Sequence, residues 1–134
     1  MNMATGKKIF IADDDEVVLT SLKKLLVLSG FEVDTTRNPK DVIQKVKSFK
    51  PSIILLDLLM PALGGLEICE MLNSDKETQG IPVIIISALG GYTDIKKAYH
   101  LGVVGYFTKP YEFPQLLQAI HKTIASKEGG ADGG

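Results

Sequence analysis

Cysteine is almost missing from this chain. Cys69 stands alone among 134 residues, so no internal disulfide framework is available and a reducing, cytoplasmic setting is expected. Long hydrophobic runs are missing too: none approaches a membrane span, and the basic start MNMATGKK leads into acidic IFIADDDE instead of the apolar heart of a signal peptide. Nor is there an excess of one charge. With 15 basic and 16 acidic residues the net charge is −1, which offers no electrostatic footprint for DNA or RNA. What is present is 45% hydrophobic and 23% charged, the composition of a soluble globular protein with one sizeable core.

Short apolar runs alternate with helical patterns along the chain. Strands are predicted at Ile9–Ala12, Phe31–Thr35, Ile53–Leu56, Val83–Ile86 and Gly105–Thr108. The third and fourth are wholly apolar, as buried central strands of a parallel sheet should be, whereas Phe31-Glu-Val-Asp-Thr alternates like an edge strand. Between them lie helical repeats. Val18, Leu22, Leu25 and Leu26 share one face of a helix over Glu16–Leu28 that Gly30 ends; Asn38 caps and Pro39 opens a second, which Pro51 stops. Others are expected at Leu66–Leu72, Thr93–Leu101 and from Phe113-Pro114 onward, with Leu116, Leu117, Ile120 and Ile124 inward. Five β/α units imply one parallel sheet with helices on both faces. Residues 1–7 read as a flexible N-terminus, 8–127 as the domain, and 128–134 as a flexible glycine-rich tail or linker.

In such sheets, sites form where strands end. The first strand is followed by Asp13, Asp14 and Asp15, the third by Asp57, the fourth by Ser87 and the fifth by Lys109. Two carboxylates about 4 Å apart repel by roughly 4 kcal/mol at an effective dielectric near 20. Grouped oxygens of this kind call for protons, a lysine or a hard divalent ion such as Mg²⁺. A carboxylate nucleophile, a metal, a hydroxyl and a cation together suit an aspartyl-phosphate. Each piece alone has an ordinary reading: acids capping a helix, Asp57 as a turn residue, Ser87 as a cap, Lys109 as a surface lysine. Asp15 is assigned the capping role, and the convergence of the others on one rim favours a site.

The stretches IADDD, LLDLLMPALGGLE, PVIIISA and GYFTKPY, in this order and covering Ile9 to Ile124, resemble the receiver domains of two-component response regulators. The resemblance implies a flavodoxin-like, doubly wound five-stranded sheet of order 2-1-3-4-5, and a signalling switch, not an enzyme acting on other substrates. Asp57 would accept a phosphoryl group from a histidine kinase, a phosphotransfer protein or a small phosphodonor. Asp14, Asp57 and the backbone carbonyl of Leu59 would bind Mg²⁺, or Mn²⁺ in its place, with Asp13 acting through water. Ser87, the Ala88 N–H and Lys109 would hold the phosphoryl group, and Lys109-Pro110 would be cis. Tyr106 would turn inward after Ser87 moves, and the fourth helix, fifth strand and fifth helix would form the output face. The effector and pathway are unspecified; no nucleic acid or membrane contact by this domain is implied, and a monomer or weak dimer is expected. Val103-Val104-Gly105 lacks the acidic pair of the winged-helix class, which speaks against that class's symmetric dimer.

Some positions depart from the family pattern. Gly64 stands where aspartate is frequent, Ser87 replaces the commoner threonine, and Leu89-Gly90-Gly91 makes a glycine-rich connection. Leu59 and Leu89 lie two residues beyond Asp57 and Ser87, on the expected route of the hydrolytic water, so slow loss of phosphate is predicted unless they pack elsewhere. Cys69 reads as a buried thiol, and His100 and His121 as surface residues of the output face. Two other functions compete. A pseudo-receiver that signals by binding alone is disfavoured by the intact Asp14, Asp57, Ser87 and Lys109; a phosphohydrolase would want a second acid where Leu59 stands. The chain carries no effector segment, which leaves open a stand-alone receiver or part of a longer protein.

Overall fold

The computed structural model describes residues 4–60 and 63–133, with side chains through Glu128. Strands β1 (Lys8–Ala12), β2 (Glu32–Thr36), β3 (Ile53–Leu56), β4 (Val83–Ser87) and β5 (Gly105–Thr108) form one parallel sheet in the order β2-β1-β3-β4-β5. Helices α1 (Glu16–Leu28), α2 (Val42–Phe49), α3 (Gly65–Ser74) and α4 (Tyr92–His100) connect them, and α5 (Phe113–Gly133) follows β5. The expected architecture and strand order are both present.

Alternation along each strand divides the core. Ile9, Ile11, Ile53, Leu55, Ile84 and Ile86 face α1 and α5, where they meet Leu19, Leu22, Leu26, Leu116, Ile120 and Ile124. Phe10, Ala12, Ile54, Leu56, Val83 and Ile85 face the other way, onto Val42, Val46, Ile68, Cys69, Leu72 and Ala98 of α2, α3 and α4. Both faces of the central strands are thus covered, which explains their unbroken apolar runs.

Several details differ from the sequence reading. On α1 the buried stripe is Leu19, Leu22 and Leu26, while Leu25 lies on its flank at 41% exposure. The second helix opens with a 3₁₀ turn, Pro39–Asp41, capped by Asn38, whose side chain accepts from the Lys40 N–H at 3.0 Å; the α-helix starts only at Val42. Lys50, at φ 54°, ends it in the left-handed conformation ahead of Pro51. Of the N-terminal segment, Met1–Met3 lie outside the described residues, but Thr5 is held, its N–H donating to the Gly30 carbonyl at 2.9 Å. Lys7 pairs with Glu128 of α5. The helix continues to Gly133 through most of the segment read as a tail; backbone hydrogen bonding carries on into glycines that cost only about 1 kcal/mol each relative to alanine. Gly134 lies outside the described residues.

Candidate functional site

The sheet's hydrogen bonding runs one residue past two strand ends. The Asp13 N–H donates to the Thr36 carbonyl at 3.2 Å, and the Asp57 N–H to the Ala12 carbonyl at 3.0 Å. This sets two carboxyl groups side by side at the rim, only 3% and 5% exposed. Asp14, half-buried, completes the group: Asp13, Asp14 and Asp57 each offer an oxygen within 4.8 Å of the others.

Both buried acids are anchored in the same way. Asp13 Oδ1 accepts from the Asp15 N–H at 2.9 Å, and Asp57 Oδ1 from the Leu59 N–H at 2.9 Å, turning the chain out of the sheet at each strand end. Their Oδ2 atoms converge on Lys109 Nζ, at 2.8 Å from Asp13 and 3.2 Å from Asp57. One cation therefore serves two buried anions. Burial raises the Asp57 carboxyl above its ordinary range; the Leu59 N–H opposes this, Asp13 adds to it and Lys109 opposes it. Burial works against the charged Lys109, but hydrogen bonding to Asp13, then the charges of Asp13 and Asp57, hold its ammonium above the usual lysine value. Three carboxylates with no histidine or thiolate among them suit a hard divalent ion.

The remaining predicted residues lie along the β4 and β5 ends. Ser87 is wholly buried; its Oγ accepts from the Leu89 N–H at 3.1 Å, and its carbonyl from the Lys109 N–H at 2.8 Å. Ala88 next to it is exposed. The Tyr106 ring is half-buried and its hydroxyl donates to the Leu89 carbonyl. Lys109-Pro110 is cis. Leu59 is 47% exposed at the rim, whereas Leu89 packs partly against the core beneath α2, α3 and α4. Asp15 caps α1 through the Val17 and Val18 N–H groups at 2.9 and 3.2 Å.

Two contributors were not foreseen. Arg37 Nε donates to the Asp14 carbonyl at 3.1 Å, tying the loop after β2 to the acidic turn. Gly65 stands so close to the loop after β3 that a Cβ there would lie 2.5 Å from Leu58 Cα and 2.7 Å from the Asp57 carbonyl oxygen. Neither has a sequence signal, since the first depends on a contact between two loops and the second on how tightly the β3–α3 connection folds back on itself. Cys69 is buried, its thiol pushed up to about 12 by desolvation. Both histidines are exposed, His100 on α4 and His121 on α5; the His121 ring lies against Phe31, centres 5.3 Å apart, and His100 lines a groove between α3 and α4. No helix of the described residues is long and apolar enough to cross a membrane.

A doubly wound parallel sheet with an acidic, lysine-bridged rim defines an α/β class of protein whose site lies at the strand ends. Comparison with known proteins narrows the class: the response regulator receiver domain family matches residues 9–121, and the chain belongs to that family. Receiver domains are signalling switches of two-component systems; they bind Mg²⁺ at an acidic pocket and interact with histidine kinases and effectors. Among the relatives, the polar-differentiation response regulator DivK of Brucella anthropi is 30% identical over 85% of this chain and 93% of its own length. The alkaline phosphatase synthesis transcriptional regulatory protein PhoP of Bacillus subtilis is 33% identical over 89% of this chain, which spans only 48% of that protein. A CheY-like receiver domain from Methanospirillum hungatei superposes with a TM-score of 0.86 at 25% identity, covering 92% of this chain and 98% of that one.

Proposed function

We propose that this receiver takes a phosphoryl group on Asp57 from the phosphohistidine of a kinase or phosphotransfer protein, or from a small phosphodonor. The observation that carries the reading is the buried Asp57 carboxylate held 3.2 Å from Lys109 within the three-acid cluster. An Asp57 oxygen forms a bond to phosphorus as the donor's bond to phosphorus breaks, and the donor leaves with its electron pair. Lys109, already at the rim, shifts its charge from carboxylate to phosphoryl oxygen. Ser87 turns its hydroxyl from the Leu89 N–H towards the phosphoryl group, and the exposed Ala88 N–H adds a second donor. Asp14, Asp57 and the Leu59 carbonyl would hold Mg²⁺, or Mn²⁺ in its place, with Asp13 acting through water. When bound, the ion neutralises charge on the transferred oxygens.

Tyr106 follows Ser87 through Leu89, since the Tyr106 hydroxyl already donates to the Leu89 carbonyl and the Leu89 N–H to Ser87. The new charge on Asp57 is thereby passed to α4, β5 and α5 as output face. Residues 8–127 form the switch unit, a cytoplasmic monomer or weak dimer that contacts no nucleic acid and catalyses only its own phosphorylation and dephosphorylation.

Incubation with acetyl phosphate and Mg²⁺ tests the reading by intact mass. A gain of one phosphoryl group that disappears in EDTA supports it. No gain would turn the protein into a binding-only module, and continuous turnover of acetyl phosphate would turn it into a phosphohydrolase.

Leu59 and Leu89 set the lifetime of that phosphate. Neither side chain can orient a water for attack on phosphorus, so loss of phosphate is slow. Leu59→Asn and Leu89→Glu each restore a polar group there and shorten the half-life by roughly tenfold, the equivalent of about 1.4 kcal/mol in the barrier. Since Leu89 already packs partly against the core, the larger effect is expected at the exposed Leu59. Unchanged half-lives in both variants would remove the leucines from the account.

A further inference from the structure

The wall of α4 that faces α3 borders a groove of about 500 Å³, within the usual range of ligand sites. Leu66 of α3 and Leu101, just past α4, contribute apolar surface and also pack on the core. Tyr92 stands at one end, 78% exposed. Lys96, Lys97 and His100 border the α4 side, opposed on α3 by Glu70. Lys96 Nζ lies 5.8 Å from the centre of the Tyr92 ring. Among the described residues neither Lys96 nor Lys97 is paired with a carboxylate, so their charge is uncommitted.

α4 belongs to the proposed output face, but no residue of β5 or α5 borders the groove. Tyr92, Lys96 and His100 follow one another at four-residue spacing along α4, whereas Ala98 is buried on the core side of the helix. The bordering stretch of α4 covers about 12 Å at 1.5 Å per residue, the length of a short amphipathic segment with anchors one and two turns apart.

We propose that the α3–α4 groove docks a protein partner through an acidic amphipathic helix. Its aliphatic side chains lie against Leu66, Leu101 and the Tyr92 ring, and its carboxylates meet Lys96 and Lys97. Charge complementarity selects this occupant. The α4 side of the groove carries two lysines, unpaired among the described residues, against a single acid on α3, so an acidic helix gains on-rate and register while a basic one is repelled. A lipid surface fits less well, because the cations border a concave slot and Glu70 faces them. The inference does not depend on phosphate transfer, since the groove is formed in the unphosphorylated protein.

Selection of a phage-displayed random 16-residue peptide library on the unphosphorylated protein provides the test. The expected result is enrichment of Asp and Glu flanking Leu, Ile or Met at helical spacing. The synthesised consensus peptide should perturb the amide signals of Leu66, Glu70 and Tyr92. A Lys96→Glu/Lys97→Glu double variant, with its melting checked first, should lose at least about tenfold in affinity and gain affinity for the consensus with lysine in place of each acid. Lys122→Glu on α5 should bind the original peptide as the unaltered chain does. The proposal is overturned by selected peptides without acidic bias, by perturbations confined to β5 and α5, by affinity indifferent to the double reversal, or by recovery of no peptide. Binding to phosphatidylserine vesicles in place of peptides would also overturn it.

Discussion

Without divalent ion, an Asp57→Asn chain should melt higher than the unaltered protein at neutral pH. The two buried carboxylates share Lys109, and repulsion from Asp13 nearly balances attraction to the lysine, each of order 4–5 kcal/mol at an effective dielectric near 20. What is left over is the cost of burying the Asp57 charge, the leading cause of its raised carboxyl. Asparagine keeps the shape and the acceptor for the Leu59 N–H, its amide nitrogen can donate to Asp13, and Lys109 retains the closer of its two partners. A gain of about 1 kcal/mol corresponds to a rise of roughly 3–5 °C in Tm for a domain of this size.

The pH dependence has a definite sign. The folded chain holds the Asp57 proton more tightly than the unfolded chain does. The residue therefore supports the fold most below the unfolded carboxylate pKa of about 3.9, and that support is lost as pH rises through the higher folded value. Asparagine has no such loss, so the difference in Tm should widen from acid towards neutral pH. Added Mg²⁺ should stabilise the unaltered chain and narrow the difference again by mass action. Melting curves of both chains in EDTA and in Mg²⁺ check this; equal Tm values at all pH would show that the acidic rim carries no strain of charge.

The second large effect is expected at Gly65. An alanine Cβ there would sit 2.5 Å from Leu58 Cα and 2.7 Å from the Asp57 carbonyl oxygen, and backbone cannot yield as the end of a flexible side chain can. Either the start of α3 or the loop carrying Asp57 must shift, and the Gly65 N–H would loosen its 3.1 Å bond to the Leu58 carbonyl. Overpacking of this kind costs about 1–3 kcal/mol, so Gly65→Ala should lower Tm by several degrees and slow phosphoryl uptake, because the displaced loop holds Asp57 and Leu59. Gly64→Ala is the control: its Cβ would meet only Glu67 Oε1, at 3.6 Å, with φ −69° open to any residue, and the change should be small. Thermal melts of the pair decide it, and equal losses would contradict the close-approach argument.

The contrast between these glycines shows what a sequence carries. Ile53–Leu56 matches the expected strand to the residue because an apolar run bounded by polar residues defines a buried strand without knowledge of its neighbours; Gly105–Thr108 also matches, at the sheet edge, where its residues are only partly buried or exposed. The rim of Asp13, Asp14, Asp57, Ser87 and Lys109 was legible for the same reason, as strand ends of a parallel sheet share one side. Distances between loops were not legible. Nothing in the order of residues says that Lys109 lies nearer Asp13 than Asp57, that Arg37 reaches the Asp14 carbonyl, or that Gly65 touches the backbone of Leu58. Leu25 failed through a related limit: helical spacing marks an apolar flank, but only the packing of α1 on the sheet decides that Leu19, not Leu25, is buried. The glycines after Glu128 predict a break by propensity, yet α5 runs through them to Gly133.

The central claim is that Asp57 is the residue that carries the phosphoryl group. Borohydride reduction of the acetyl phosphate-treated protein, followed by peptide mass mapping, addresses it directly, because an aspartyl phosphate is reduced to homoserine where it stands. The account predicts homoserine at position 57, formed only when Mg²⁺ is present and missing from Asp57→Asn. Homoserine at Asp13, Asp14 or any other acid, or none in the Mg²⁺-treated protein, would contradict it.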